Sequence, residues 1–337
     1  MSRDLAIDFG TSRTRVYDKA RGLIYDELSV AAVDTRSREV LALGAEADEL
    51  VGRSSDHVVA VRPLSQGAIT DFDMAERMLR AVLARCGSSR MNRPRLILTV
   101  PAAATSIERR ALEQAAKAAG ASTANLLESP LAAAIGFDIP IHDAVGSVIV
   151  DAGAGTTETA VISLGGIVAS RALRIGGLDI DRAVASMVRH DLDLVVNAHV
   201  AEELKIRIGS VAEDLAPVAV EVHGRRPMTG EPGYVNIEGS MVNRAIRDLV
   251  QQMIAGTIAC LSETPPELAQ DAIYGGIYLH GGGAQLHGYA EALSVATSVA
   301  VNIDQDPTTV VIRGAGRCLE DIGRLRSLFA SASRPQR

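Results

Sequence analysis

The sequence predicts an α/β protein folded as two matched lobes, each carrying a small inserted subdomain. Three glycine-rich stretches predict it. In residues 147–162, SVIVDAGAGTTETAVI, an apolar run ends on Asp151 and breaks at once into a tight turn before a second apolar run. The runs at 148–150 and 159–162 have the composition of short buried strands. Residues 4–17, DLAIDFGTSRTRVY, repeat that grammar: a strand ending on Asp8, then Gly10, small hydroxyl residues and an outgoing strand. Residues 274–284, YGGIYLHGGGA, carry a strand into a triple glycine. One pattern used twice in a chain implies a duplicated fold.

The chemistry of the turns points to an anion. Glycine reaches backbone conformations that close N–H groups on phosphate oxygens, so Gly153 and Gly155 are candidate cradles, with Thr156 and Thr157 adding hydroxyl donors. Asp151 could hold a magnesium ion through water, and Asp8 could do the same from the duplicated turn, beside Gly10, Thr11, Ser12, Arg13 and Thr14. Gly281, Gly282, Gly283 and Ala284 offer bare backbone against which a flat purine can lie. Together these imply one nucleotide in a cleft between the lobes. Either turn alone is equally an ordinary glycine-rich hairpin. The sequence holds neither a G-x-x-x-x-G-K nor a G-x-G-x-x-G, which excludes the two commoner phosphate cradles.

Composition narrows the class. The 337 residues suit two domains or one deeply cleft unit, and 47% apolar against 22% charged is ordinary for an α/β protein. A net charge of -7 argues against a nucleic-acid binder. Cys86, Cys260 and Cys318 are far apart and show no C-x-x-C, so neither a disulfide framework nor a zinc site is expected, and a reducing cytoplasm is the expected home. No run approaches the roughly 18 apolar residues of a membrane span, and no signal peptide is read at the start.

Along the chain, residues 22–72 alternate short apolar runs (29–33, 40–43, 58–61) with polar turns, as a small inserted subdomain does. Residues 73–85 place Met74, Met78, Leu79, Val82 and Leu83 at helical spacing. Residues 87–94, GSSRMNRP, form a basic loop with Met91 as its apolar residue. Thr105 and Glu108 make a capping box for a helix running to Ala119 and stopping at Gly120. A short strand at 126–128 leads into a helix begun by Ser129-Pro130. After the second turn, residues 165–175 predict a strand pair, and Gly176-Gly177 a tight junction before a helix ending near Leu194. Residues 201–209 predict a short helix with Glu202 and Lys205 on one face, where an exposed ion pair is the plain expectation. Two strand runs (217–222, 234–237), a long amphipathic helix (242–261), a strand (299–303), a helix (309–322) and a frayed tail (331–337) complete the chain.

These residues resemble the actin superfamily, and within it the MreB family of bacterial actins. Beyond the three turns the likeness extends to VAVRPLSQGAITDF (59–72), TVPAAATSIERRAL (99–112), LLESPLAAAIG (126–136), AEELKIRIG (201–209) and TPPELAQDAIYGGIYLHGGG (264–283), so it covers about residues 4–322. It implies an actin-like fold: a first lobe at 1–143 completed by 308–330, with outer subdomain 22–72, and a second lobe at 144–307, with outer subdomain about 178–239. It also implies ATP and magnesium as cofactors, with Glu202, Glu203 and Lys205 in the ribose and adenine wall. Filament formation, cell-shape determination and recruitment to the inner face of the membrane by membrane-bound cell-wall synthesis proteins follow from the same resemblance.

Two departures qualify it. The 87–94 loop lacks the family's bulky apolar pair and no amphipathic helix precedes Asp4, so direct membrane contact is expected to be weak or absent. Where the family has Glu-Glu-Pro, this chain has Glu128-Ser129-Pro130. The missing acid is the one that orients the attacking water, leaving Glu128, Ser129 and Thr156 as catalytic candidates and hydrolysis slow. A sugar-kinase-like phosphotransferase is the alternative, although residues 22–72 leave little room for an acceptor site. A chaperone ATPase ranks last, for want of a substrate-binding domain.

Overall fold

The structure, a computed structural model, describes residues 3–53, 57–89, 91–212, 218–320 and 329–330. Its contacts divide the chain into unit 1 (Met1–Val145, Ile162–Ile167, Thr309–Arg337) and unit 2 (Gly146–Val161, Val168–Thr308).

Unit 1 begins with β1 (Asp4–Phe9), β2 (Arg13–Asp18), β3 (Gly22–Leu28), β4 (Ala31–Asp34), β5 (Val40–Leu43), α1 (Ala45–Arg53) and β6 (Val58–Val61). It continues through β7 (Leu64–Ser65), β8 (Ala68–Ile69), α2 (Phe72–Arg85), β9 (Arg95–Val100), α3 (Ser106–Ala119), β10 (Thr123–Glu128) and α4 (Ser129–Gly136). The chain closes it with α10 (Val310–Cys318) and β18 (Phe329–Ala330). The main sheet has the order β18-β10-β9-β1-β2-β3, with β1 and β10 parallel to β9 and the β1-β2-β3 meander antiparallel. Unit 2 contains β11 (Ser147–Ala152), β12 (Thr157–Ser163), β13 (Gly166–Leu173), α5 (Gly177–Leu192), α6 (Ala198–Ile208), β14 (Ala219–Arg225) and β15 (Pro232–Glu238). It ends with α7 (Gly239–Ser262), α8 (Pro266–Gly275), β16 (Ile277–His280), α9 (Tyr289–Thr297) and β17 (Val301–Ile303). Its main sheet has the order β13-β12-β11-β16-β17. Strand for strand this matches β3-β2-β1-β9-β10, so the repeated turn grammar reflects a repeated sheet.

Local chemistry explains the helices. The Thr105 hydroxyl accepts from Glu108 N while the Glu108 carboxylate accepts from Thr105 N, and Gly120 stops the helix at φ 121°. Asp71 caps α2 by accepting from Met74 N, and Met74, Met78, Leu79, Val82 and Leu83 face the unit 1 core. In α7, Val242, Ile246, Val250, Met253 and Ile254 face the unit 2 core, whereas Ile258, one helical step beyond Ile254, is exposed. Two helices lie where none was expected. In α1 Ala47 is buried and Leu50 packs beside it, a stripe too short to announce the helix; Pro266 at the first turn opens α8.

Other expectations shift. Residues 165–175 supply the single strand β13, whose partner is β12. Tyr274 lies in the last turn of α8, and the strand into the triple glycine starts at Ile277 after Gly276 turns the chain at φ 81°. The last helix ends at Cys318, short of the expected 322. Residues 213–217, 321–322 and the tail 331–337 lie outside the described residues. Among those described, no helix is long and apolar enough to cross a membrane.

Candidate functional site

In unit 1 the candidate residues gather at the ends of β1, β2 and β10. Asp8 stands at the end of β1, where the Thr99 hydroxyl of β9 donates to its Oδ1 at 2.8 Å. Gly10 N donates to Arg13 O, closing the turn at 3.0 Å. Inside it the hydroxyls are not equivalent. Thr14 is fully buried with its Oγ1 2.8 Å from Ser29 Oγ, and Thr11 Oγ1 accepts from Gly67 N at 3.1 Å. Ser12 is partly exposed. Arg13 donates from Nε to Asp26 Oδ1 at 2.6 Å.

Glu128 and Ser129 sit where β10 passes into α4. The Glu128 carboxylate accepts from Arg109 at 2.8 Å, and the same buried guanidinium donates to Ala102 O and Ala104 O. Glu128 is therefore tethered towards α3. Ser129 is 8% exposed at the first position of α4.

In unit 2 the turn is fixed by backbone packing. Gly153 N donates to Thr156 O at 2.9 Å, and Gly177 N and Leu178 N donate to Gly153 O and Ala154 O. A Cβ on Gly176 would lie 2.6 Å from Ala154 O and 2.7 Å from Gly153 O, so the start of α5 is pressed against the turn and needs glycine. Gly281 (φ 87°) and Gly283 pack the same way on the end of β11: a Cβ would lie 2.7 Å from Asp151 Oδ1 at the first and 2.8 Å from Ala152 Cβ at the second. Gly282 is open, Gly155 and Ala284 are buried, and residues Gly282–Gln285 form a 3-10 turn. Thr157 is turned inward, donating to Ile175 O at 2.9 Å, while Thr156 stays partly exposed.

On α6 the expected pair is replaced. Lys205 Nζ lies 2.8 Å from Asp181 Oδ1 of α5, Glu203 pairs along its own helix with Arg207, and Glu202 is half-buried beside them. Burial pushes the Asp181 carboxyl above its ordinary range and the Glu202 charge adds to this, while Lys205 opposes it. A folded value above the unfolded one means that the group's stabilising contribution is complete at low pH and is lost as pH rises through the folded value.

Sequence reasoning missed Asp181, Arg109, Arg15, Thr99 and His280. Arg15, only 8% exposed, holds its Nη1 3.8 Å from Asp8 Oδ2 and its Nε 3.3 Å from Asp26 Oδ2. His280, 1% exposed, holds its Nδ1 3.7 Å from Asp151 Oδ1. Both are cross-strand neighbours, Asp8 opposite Arg15 and Asp151 opposite His280.

Magnesium is usually bound by one or two carboxylates plus substrate phosphates rather than by an all-protein cage. Asp151 fits that role, since the imidazole beside it carries no obligatory charge. Asp8 does not: its charge is offset by a guanidinium that stays protonated at any working pH.

The two sheets of matching order, each with an aspartate at the end of a central strand beside a glycine turn, define an actin-like fold. The sequence model of the MreB/Mbl protein family matches residues 2–327, and the chain belongs to that family. The cell shape-determining protein MreB of Escherichia coli K12 is 37% identical over 327 residues, covering 95% of this chain and 94% of that protein. MreB of Haemophilus influenzae is 40% identical over 329 residues, with the same coverage of 95% and 94%. Among solved structures, MreB5 of Spiroplasma citri bound to AMPPNP superposes with a TM-score of 0.90 at 28% identity, covering 97% of this chain and 98% of that one. The same protein has also been solved with ADP.

Proposed function

We propose that this chain is an ATP-binding, filament-forming cytoskeletal protein that helps determine cell shape by organising cell-wall synthesis, and that it hydrolyses ATP slowly. The observation that carries the proposal is the membership of nearly the whole chain in the MreB/Mbl family, together with the likeness at a TM-score of 0.90 to a protein solved with AMPPNP and with ADP. That membership favours assembly over the phosphotransferase alternative.

On this proposal the backbone amides of the Gly153 and Gly10 turns, with Ser12 and Thr156, hold phosphates. Asp151 holds magnesium through water, the ion supplying charge neutralisation of the phosphates when bound. Gly281 to Gly283, with Ala284 behind them, back the adenine, and Glu202 and Lys205 flank it. Lobe limits of 1–143 with 308–330, and 144–307, belong to the same proposal. Self-association by one repeated head-to-tail contact, which does not close on itself, gives filaments.

Sedimentation with and without ATP, followed by negative-stain microscopy, tests assembly. ATP-dependent filaments are expected; monomers at every concentration and nucleotide state would overturn the proposal. Asp151→Ala is expected to weaken ATP affinity about 10- to 100-fold, the factor corresponding to ~1.5–3 kcal/mol for a hydrogen bond to a charged group. Calorimetry checks this, and an unchanged affinity means the phosphate turn is misassigned.

Membrane recruitment is proposed to run through membrane-bound partners. Met91 is 99% exposed but lone, and Arg93 is tied down by donating to Gly120 O and Ala121 O, while Arg90 lies outside the described residues. In a flotation assay the purified protein is expected to stay with the soluble fraction when mixed with anionic vesicles. Strong co-flotation counts against indirect recruitment.

A further inference from the structure

Unit 2 holds a lysine beside its glycine turn, and the carboxylate that holds it comes from another helix. Asp181 lies one helical turn beyond Gly177, the first residue of α5, so the two share a face of that helix. Gly177 leaves the face bare. The Lys205 ammonium, carried across from α6, takes the space: its Nζ is 2.8 Å from Asp181 Oδ1 and 3.4 Å from where a Cβ on Gly177 would lie, and that same position is 3.7 Å from Ala154 Cα in the turn. Gly177 N donates in its turn to Gly153 O. Ammonium, helix start and glycine turn thus follow one another within a single unit.

The start of a helix is a poor place for a lone cation, because the helix dipole puts partial positive charge there. Asp181 reverses that preference. The pair is largely out of water, with side chains 17% and 8% exposed for Lys205 and Asp181, and burial raises the Asp181 carboxyl while Lys205 pulls it back, so each charge is kept by the other. Neighbouring acids are engaged differently. Asp179 accepts from Gly176 N and pairs with Arg182, and Glu203 pairs with Arg207. Glu202 makes no ion pair among the described residues and adds to the upward push on Asp181. An ammonium has three N–H donors, and among the described residues Asp181 is the one partner of Lys205, so two donors remain for a ligand at the turn. A lysine fixed before binding has lost its rotamer freedom in folding, whereas one left to swing loses it on binding, a difference of ~10-fold in affinity.

Resting on the nucleotide-binding proposal, we propose that Asp181 is a positioning residue of the unit 2 nucleotide site: it fixes the Lys205 ammonium over the start of α5, where the two unused donors meet the nucleoside triphosphate beside the 153–156 turn. Asp181 itself touches no ligand. Its effect on affinity runs wholly through Lys205.

The experiment is calorimetric titration of the full chain with ATP in excess magnesium, for wild type, Lys205→Ala, Asp181→Ala, Asp181→Asn and the Asp181→Ala/Lys205→Ala double variant. Lys205→Ala is expected to lose about 10- to 100-fold in affinity and Asp181→Ala about 10-fold. The double variant is expected to match Lys205→Ala within about 2-fold, because nothing is left for Asp181 to hold. Asp181→Asn keeps an acceptor oxygen in the same place and is expected to regain most of the affinity that Asp181→Ala loses. A merely structural role would cost affinity again in the Lys205→Ala background, and such a further loss overturns the proposal. Tighter binding by Asp181→Ala overturns it too, since the carboxylate would then only repel the phosphates, as does an unchanged affinity for Lys205→Ala. Should Asp181→Ala fail to fold, the same cycle is run with Asp181→Ser, whose short hydroxyl admits water and does not reach the amine. Absence of ATP binding by wild type overturns the nucleotide assignment instead.

Discussion

Gly314→Ala is expected to destabilise unit 1 by about 3 kcal/mol or more, at the upper end of what overpacking costs. Helix propensity alone predicts the opposite, because alanine is favoured over glycine by ~1 kcal/mol inside a helix. The contact decides the sign. A Cβ on Gly314 of α10 would overlap Ala132 O of α4 and come within 2.8 Å of Gly136 N, and a Cβ on Gly136 would overlap Val310 O and lie 2.9 Å from Val310 Cγ1. The two helices therefore touch backbone to backbone, and no rotamer change relieves a methyl placed against a carbonyl. Gly316, the next glycine on α10, is filled in the same way by the Tyr17 ring of β2, 2.5 Å from its Cβ position. Since each kcal/mol shifts Tm by ~2–4 °C in a unit of this size, the expected fall is about 6–12 °C. Gly275→Ala is the control: nothing lies within 4 Å of its Cβ position, so a change within about 0.5 kcal/mol is expected. A raised Tm for Gly314→Ala would mean that α4 and α10 do not pack on their glycines.

How much of this was legible in the sequence depends on the range of the interaction. The Asp8 and Asp151 turns, the Thr105 capping box and the Met stripe of α2 are written in consecutive residues, and each stands where spacing put it. Partners supplied by another element were not legible. Lys205 had Glu202 at helical spacing, but it reaches Asp181 on α5 because α5 and α6 pack together. Glu128 ends β10 with no basic residue near it in sequence, and its partner Arg109 comes from the first turn of α3. Alternation alone puts Arg13 and Arg15 on one face of β2, but only the register of β3 brings Asp26 between them. Nothing in the sequence of α10 marks Gly314 and Gly316 as its contact surface, because what they touch, α4 and Tyr17, comes from distant elements. Where a wrong element was expected, the local signal was short: α1 offers only Ala47, Leu50 and Val51 at helical spacing, and Tyr274 belongs to a helix that ends only at Gly276, where φ is positive.

The slow hydrolysis proposed for this chain gives the largest expected effect on a rate. By resemblance, the acid next to proline orients the attacking water, and groups of that kind contribute ~10²–10⁴-fold. Ser129 holds that position, and its hydroxyl can donate a hydrogen bond but is a poor base at neutral pH. Glu128 is the nearest acid in sequence, and the structure commits it elsewhere: Arg109, buried and already bonded to two backbone carbonyls, takes one of its oxygens at 2.8 Å. Pulling Glu128 away would strand a buried guanidinium, which costs ~3–5 kcal/mol when a buried pair is broken. That cost holds the carboxylate in place, so Glu128 does not stand in for the missing base. Ser129→Glu is accordingly expected to raise phosphate release under polymerising conditions by about 10²-fold or more. Glu128→Gln keeps an acceptor for Arg109 while removing the base, and is expected to leave the wild-type rate unchanged. A brisk wild-type rate that Glu128→Gln abolishes would show that Glu128 leaves Arg109 to activate water, and that the serine costs this chain nothing.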